Sequence, residues 1–446
     1  MNWLQLFISL SLLIVLHEGG HFLAARMFKT RVEKFYLFFD FLFPFPNLLK
    51  FSIFKFKKGD TEYGLGWFPL GGYVSIAGMA DETKSTDELA SEPQPWEFRA
   101  KPAWQRLIII LGGIIVNILV GIIIFWGVKF AFGDRFIPAN QVTLNVVDSS
   151  LINAGMQTGD KLVDFKYFED FNKTLLYRDS ETIRVERNGE IIEIPVPHDI
   201  QRTMIERKSQ LVVPRFPFLV NGFVETSPNK DVPLEAGDQL VKIDTVEINY
   251  FDEIGPLLKN YKNQSVNAVF LRNGSPVEFN LKVNDEGYLG IFPLTDLKEI
   301  KRRNVLPVDE VHYGFFQAFP VGIKASYETI ANYARSLTLI FKPSTGAYKE
   351  VGGFIGMSKM FKNEFSWEGF WLMTGVISLI LAFMNFLPIP MLDGGYVVFI
   401  LYEMIVGRPP SEKFMNFANN VGFFILIGLM LYANGNDILK LFTGGK

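Results

Sequence analysis

LHEGGHFLAAR, residues 16–26, sets two of the chain's four histidines and a glutamate inside a run of Leu, Ile, Val and Phe that begins near Trp3. An ionisable side chain in a hydrocarbon-length segment costs roughly 2.5 kcal/mol or more, so three together need a reason. On a helix His17 and His21 stand at i and i+4, which turns both imidazoles to one face where they can share a tetrahedral Zn²⁺. Glu18, one position on, is placed to act on a water at that metal.

Composition agrees with a membrane setting. The 446 residues are 49% hydrophobic and 15% aromatic, too apolar on average for an ordinary soluble enzyme. A formal charge of −3 gives no nucleic-acid footprint, so no nucleic-acid partner is expected. With no cysteine in the chain, disulfides, thiolate metal sites and a cysteine nucleophile are excluded, and any metal must be held by His, Asp or Glu.

Four stretches meet the roughly 20-residue apolar length needed to cross a bilayer as a helix. They run from about Trp3 to Phe28, from Leu107 to Val128, between Glu368 and Asp393, and between Lys413 and Asp437. The N-terminus lacks a basic n-region and a small-residue cleavage site, so the first stretch is read as a retained span and not a signal peptide. Arg26, Lys29, Arg31 and Lys34, with Arg99, Lys101 and Arg106, place the first connection in the cytosol by the positive-inside rule. The long region after the second span then falls outside, as do both termini. His17 follows Leu4 by about 20 Å of helix, which puts the metal site in the cytosolic half of a core about 30 Å thick.

The outer region contains a duplication. GDKLVDF at 159–165 recurs as GDQLVKI at 237–243, and RNGEIIEI at 187–194 recurs as RNGSPVEF at 272–279. Asn-Gly between strand-forming residues marks a tight hairpin in each copy. Each copy reads as a small β-rich module, and the GDxLVxx strand resembles PDZ domains. Beyond them, Tyr313 to Phe341 carries apolar residues at helical spacing, which predicts either an amphipathic helix at the outer membrane surface or a helix packed on the second module. VGGFIGMSKMF, 351–361, suits a membrane-edge loop.

A catalytic zinc needs three protein ligands and one open position. His198 and His312 lie in the outer region, so Asp393 in NFLPIPMLDGG, 385–395, is the expected third ligand, at the cytosolic end of the third span. Pro388 and Pro390 break that helix and push Leu387 and Ile389 toward extended backbone. Irregular backbone at membrane depth is tolerated only where it lines protein or a water cavity, so this stretch should face the site, with Gly394 and Gly395 letting the chain pass closely around the metal. In the second span Gly113, Asn117 and Gly121 make one small-residue face whose buried amide should meet a polar group, whether for packing or for catalysis.

These segments together, HEGGH in a first span, FRAKPAWQRL leading to GGIIVN in a second, duplicated PDZ-like modules and NFLPIPMLDGG in a third, resemble the site-2 protease family of intramembrane zinc metalloproteases, in its bacterial regulator of sigma-E protease branch. The resemblance implies His17, His21 and Asp393 as zinc ligands and Glu18 as general base. GWFPLGGYVSIAGM, 66–79, matches the family's GGYV stretch, which implies a β-rich loop re-entering the membrane from the cytosol, with the edge at Gly71, Gly72, Tyr73 and Val74 pairing with substrate backbone. Asn385, Pro388 and Pro390 would contact substrate from the other side. Two departures stand out: Gly19 replaces a usually bulkier residue, and the aromatic run from Phe35 to Lys58 is longer and greasier than usual, which fits a cytosolic-interface segment with snorkelling lysines.

The expected fold is therefore an α-helical membrane protein with four transmembrane helices, a zinc site in the bilayer and a cytosolic re-entrant β-hairpin loop, plus two extracytoplasmic β-rich PDZ-like domains. Its parts would be 1–132, the first two spans with HEGGH and the β-loop; 133–215 and 216–300, the two PDZ-like modules; 301–364, the amphipathic helix and membrane-edge loop; and 365–446, the last two spans. The expected activity is endoproteolysis in the bacterial cytoplasmic membrane, on transmembrane segments of single-span proteins such as anti-sigma factors or remnant signal peptides, after an upstream site-1-type protease has trimmed them. Its rivals are a catalytically inactive membrane-anchored PDZ scaffold, disfavoured because Glu18 and all three ligands are present, and a transporter, disfavoured because the spans show no inverted repeat.

Overall fold

In a computed structural model the HEGGH segment lies in one unbroken helix, α1 (Asn2–Met27). The structure describes residues 1–42, 48–69, 71–79, 92–207 and 211–442, so residues 43–47 of the aromatic run and Leu70 of the GGYV stretch lie outside the described residues. The chain divides into two units.

The first unit contains the apolar helices. Besides α1 these are α2 (Ala103–Phe132), α3 (Phe315–Ile340), α4 (Trp367–Phe386), α5 (Asp393–Val406) and α6 (Glu412–Phe442). Among the described residues four of them, α1, α2, α4 and α6, are long and apolar enough to cross a bilayer. α1 and α2 cross where both lack side chains: a Cβ on Gly20 would stand 2.3 Å from the Gly112 carbonyl oxygen, and one on Gly112 would stand 2.5 Å from that of Gly20. Gly121 takes the Leu379 side chain of α4 in the same way. Small residues thus bring backbones together where lipid supplies no hydrophobic drive between helices.

The first connection is more than a hairpin. Strands β1 (Val32–Leu37), β2 (Ser52–Lys58), β3 (Thr61–Gly66) and β4 (Tyr73–Ile76) form a mixed sheet in the order β2-β3-β1-β4, with β1 and β3 parallel. Parallel neighbours need a crossover, here supplied by β2, which a two-strand reading of the segment cannot provide. β4 is an edge strand of this sheet. Its glycine lead-in lies against α1, since a Cβ on Gly72 would stand 2.7 Å from Cγ2 of Ile14. The Tyr73 hydroxyl donates to buried Asp40 at 2.9 Å.

The amphipathic helix, α3, packs on α2 and α4 within the first unit: Trp126 of α2 donates its indole N–H to the Phe315 carbonyl at 2.7 Å, Gly322 meets the Trp126 backbone, and Tyr333 stacks edge-on against Phe383 of α4. The residues α3 buries are mostly small, Ala318, Gly322 and Ser326 with Leu339, while Phe316 and Tyr327 stay exposed. Between α4 and α6 the connection holds α5, which begins at Asp393 and runs to Val406. The 351–361 loop contains a short helix, Phe354–Ser358, whose Gly353 and Gly356 amides donate to buried Asp437 of α6.

The second unit holds two β-rich cores. One gathers Leu144, Leu151, Phe171, Ile183 and Val185, the other Leu240, Ile243, Val266, Phe270 and Leu281. The hairpins fall where Asn-Gly placed them, Thr182–Arg187 with Glu190–Pro195 and Ser265–Arg272 with Ser275–Lys282, each turning through Asn and Gly at positive φ. The duplicated motifs serve one device twice. Asp160 accepts from the Gln157 amide and pairs with Arg187, and Asp238 accepts from the Glu235 amide and pairs with Arg272. The Asp of GD therefore turns its own loop and anchors the Arg of RNG.

Candidate metal centre

His17 and His21 project from one face of α1, and Asp393 meets them from the first turn of α5. Nε2 of His17 lies 3.3 Å from Oδ2 of Asp393, Nε2 of His21 lies 3.4 Å from the same oxygen, and the two nitrogens are 3.4 Å apart. All three side chains are largely withdrawn from solvent, and Asp393 Oδ2 is buried with no hydrogen-bond donor among the described residues. Metal–ligand bonds of about 2.0–2.1 Å in a tetrahedron set ligand atoms about 3.3–3.4 Å apart. The observed triangle has that size, and an acceptor-only carboxylate beside two ring nitrogens suits a cation. The three groups can hold a metal ion, with a fourth position left over.

Each imidazole is fixed from behind. His21 Nδ1 lies 2.9 Å from the Ile109 carbonyl of α2. A carbonyl only accepts, so the ring proton sits on Nδ1 and Nε2 presents its lone pair. His17 Nδ1 faces the side chain of Asn117. Gly113 forms the floor, since a Cβ there would stand 2.5 Å from His21 Nε2 and 2.6 Å from His17 Cε1.

Asp393 owes its position to the proline segment. α4 ends at Phe386, Leu387 is extended (φ −61, ψ 144), and Met391 is held in the left-handed region at φ +78. A strained non-glycine residue two positions from Asp393 costs on the order of 1–3 kcal/mol and persists only where its surroundings fix it. Gly394 and Gly395 do this by contact, not by bending: a Cβ at 394 would stand 2.2 Å from the Leu387 carbonyl oxygen, and one at 395 would stand 2.6 Å from that of Ile389. Gly422 of α6 packs on the Pro390 carbonyl from the other side.

Glu18 is half-buried and lies within electrostatic reach of His17, His21, Asp393 and the Val74 backbone. Thus β4 and the metal triangle meet at the glutamate. Asn385 is half-buried in the last turn of α4, Pro388 is exposed and Pro390 is half-buried. Sequence reasoning missed the Ile109 carbonyl and Ser378, whose hydroxyl donates to the Asn117 carbonyl at 2.7 Å. A main-chain acceptor leaves no mark in sequence; a serine inside an apolar span does.

The chain resembles known proteins over almost its entire length. A proposed zinc metalloprotease of Rickettsia conorii is 28% identical over 445 residues, covering 98% of both chains. A protein of the same description from Borreliella burgdorferi is 27% identical, again over 98% of both. The regulator of sigma-E protease RseP of Escherichia coli is 27% identical over 468 residues and 97% of each chain. The family model for peptidase family M50 matches residues 5–429, and the chain is a member of peptidase family M50.

Proposed function

We propose that the protein is an intramembrane zinc metalloprotease that hydrolyses peptide bonds in transmembrane segments of other membrane proteins. The observation that carries this reading is the triangle of His17, His21 and Asp393 donor atoms at 3.3–3.4 Å, with both histidines on a helix of membrane length and a glutamate beside them. The names of the similar proteins, zinc metalloproteases and a regulator of sigma-E protease, support it. His17, His21 and Asp393 would hold the zinc, which when bound supplies Lewis-acid polarisation of a carbonyl and makes water more acidic. Glu18 takes a proton from the attacking water and returns it to the leaving amine.

A helical substrate shields its amides, so it must unwind before cleavage. The edge at Gly71, Gly72, Tyr73 and Val74 would pair with it as an added strand, replacing the hydrogen bonds lost from its helix. β4 stands at the edge of its sheet and Val74 adjoins Glu18, which brings such a strand to the proton carrier. Asn385, Pro388 and Pro390 would bound the substrate on the opposite side. The setting is a bacterial cytoplasmic membrane, with the site toward the cytosolic half and the duplicated modules, PDZ-like in plan, outside. The modules would admit single-span proteins, anti-sigma factors or remnant signal peptides, that an upstream protease has trimmed.

Glu18→Gln tests the assignment. Zinc should stay bound while cleavage of a single-span substrate falls about a thousandfold, within the range for losing a positioned general base. Unchanged cleavage would overturn it.

A further inference from the structure

Asn117 is fully buried in α2, one turn from Gly113, and its main-chain carbonyl is tied to α4 by Ser378. Its side-chain nitrogen is set 3.1 Å from Nδ1 of His17, while its Oδ1 is buried with no hydrogen-bond partner among the described residues. For Nε2 of His17 to offer a lone pair to a metal, the ring proton must sit on Nδ1. An amide nitrogen facing that N–H would oppose donor to donor and leave a buried acceptor empty. A half-turn about Cβ–Cγ exchanges the two amide atoms, pairs Oδ1 with Nδ1–H and removes the donor-to-donor opposition.

We infer that Asn117 is the positioning residue of the metal site, accepting the Nδ1–H of His17 through Oδ1 and so fixing the tautomer and the plane of that ring. It does for His17 what the Ile109 carbonyl does for His21. The inference rests on the reading of His17 as a ligand. Partners of this kind change metal affinity by roughly 10–100-fold when removed.

The test is the zinc dissociation constant of the full-length protein in detergent, by competition with a metallochromic chelator. The variants are Asn117→Leu, of similar size with no acceptor, and Asn117→Asp, which when ionised can only accept. Asn117→Leu should bind zinc about 10–100-fold more weakly, and Asn117→Asp should bind at least as tightly as the unaltered chain. A structural role in packing would not separate the two in this direction. Equal affinity in Asn117→Leu, or loss in Asn117→Asp, overturns the inference. Should Asn117→Leu not fold, Asn117→Asp decides alone, retained affinity supporting the role and lost affinity refuting it. An unaltered chain that binds no zinc would fail the site itself, and the role of Asn117 with it; one that binds zinc alongside unaffected variants fails only Asn117.

Discussion

A methyl group on Gly113 would stand 2.5 Å from Nε2 of His21, closer than real carbon atoms approach. Gly113→Ala must therefore displace an imidazole that the Ile109 carbonyl holds in place. We predict at least a tenfold loss of zinc affinity with helix content unchanged, measured by chelator competition beside circular dichroism.

Gly19 and Gly20 should behave oppositely. A Cβ on Gly20 collides with the Gly112 backbone, whereas one on Gly19 meets nothing within 4 Å. Gly19 instead borders an apolar cavity of about 330 Å³ with Leu16, Phe22, Phe35, Tyr63 and Val116. Gly20→Ala should destabilise by about 1–3 kcal/mol through overpacking. Gly19→Ala should raise stability by up to about 1 kcal/mol through helix propensity. Thermal unfolding of the two variants in one detergent compares them.

The duplicated ion pairs predict matched failures. Asp160 is 1% exposed, and Arg187→Ala leaves its carboxylate buried and unpaired. The loss should be about 3–5 kcal/mol, confined to the first module. Hydrogen exchange in the intact protein should quicken across 144–196 and not across 239–282; Arg272→Ala should reverse the pattern.

Glu310 joins strand Asp309–Val311 to strand Asp134–Phe136, accepting from Arg135 at 2.9 Å and Lys301 at 2.8 Å. The cationic partners hold its carboxyl down to about 2, against an ordinary 4.5. A depressed pKa contributes stability that is complete above the ordinary value and fades as pH falls through the folded one. Hydrogen-exchange protection of 134–136 should thus decline from about pH 4.5 toward pH 2. Glu310→Gln should lower protection at neutral pH and flatten that decline.

Much of the site could be read from the chain because its chemistry sits in side chains. HEGGH required a metal once it lay in an apolar helix, and the prolines before Asp393 announced the break that brings this residue to the triangle. What could not be read depends on main chain or on partners far away in sequence. The Ile109 carbonyl carries no signature, and the reason for Gly20 lies in Gly112, 92 residues on. The packing of α3 on α2 and α4 could not be read because an amphipathic stripe tells that a helix has a partner without telling which. The parallel pairing of β1 and β3 was hidden for the same reason: alternation gives a strand's faces, not its neighbour.

In the proposed site, the metal held by His17 and His21 is completed by an aspartate 372 residues beyond His21. Zinc content per chain, measured on purified protein with and without Asp393→Ala, tests it most directly. The unaltered protein should hold close to one zinc per chain, and Asp393→Ala should lose nearly all of it. Full zinc occupancy in that variant would contradict it.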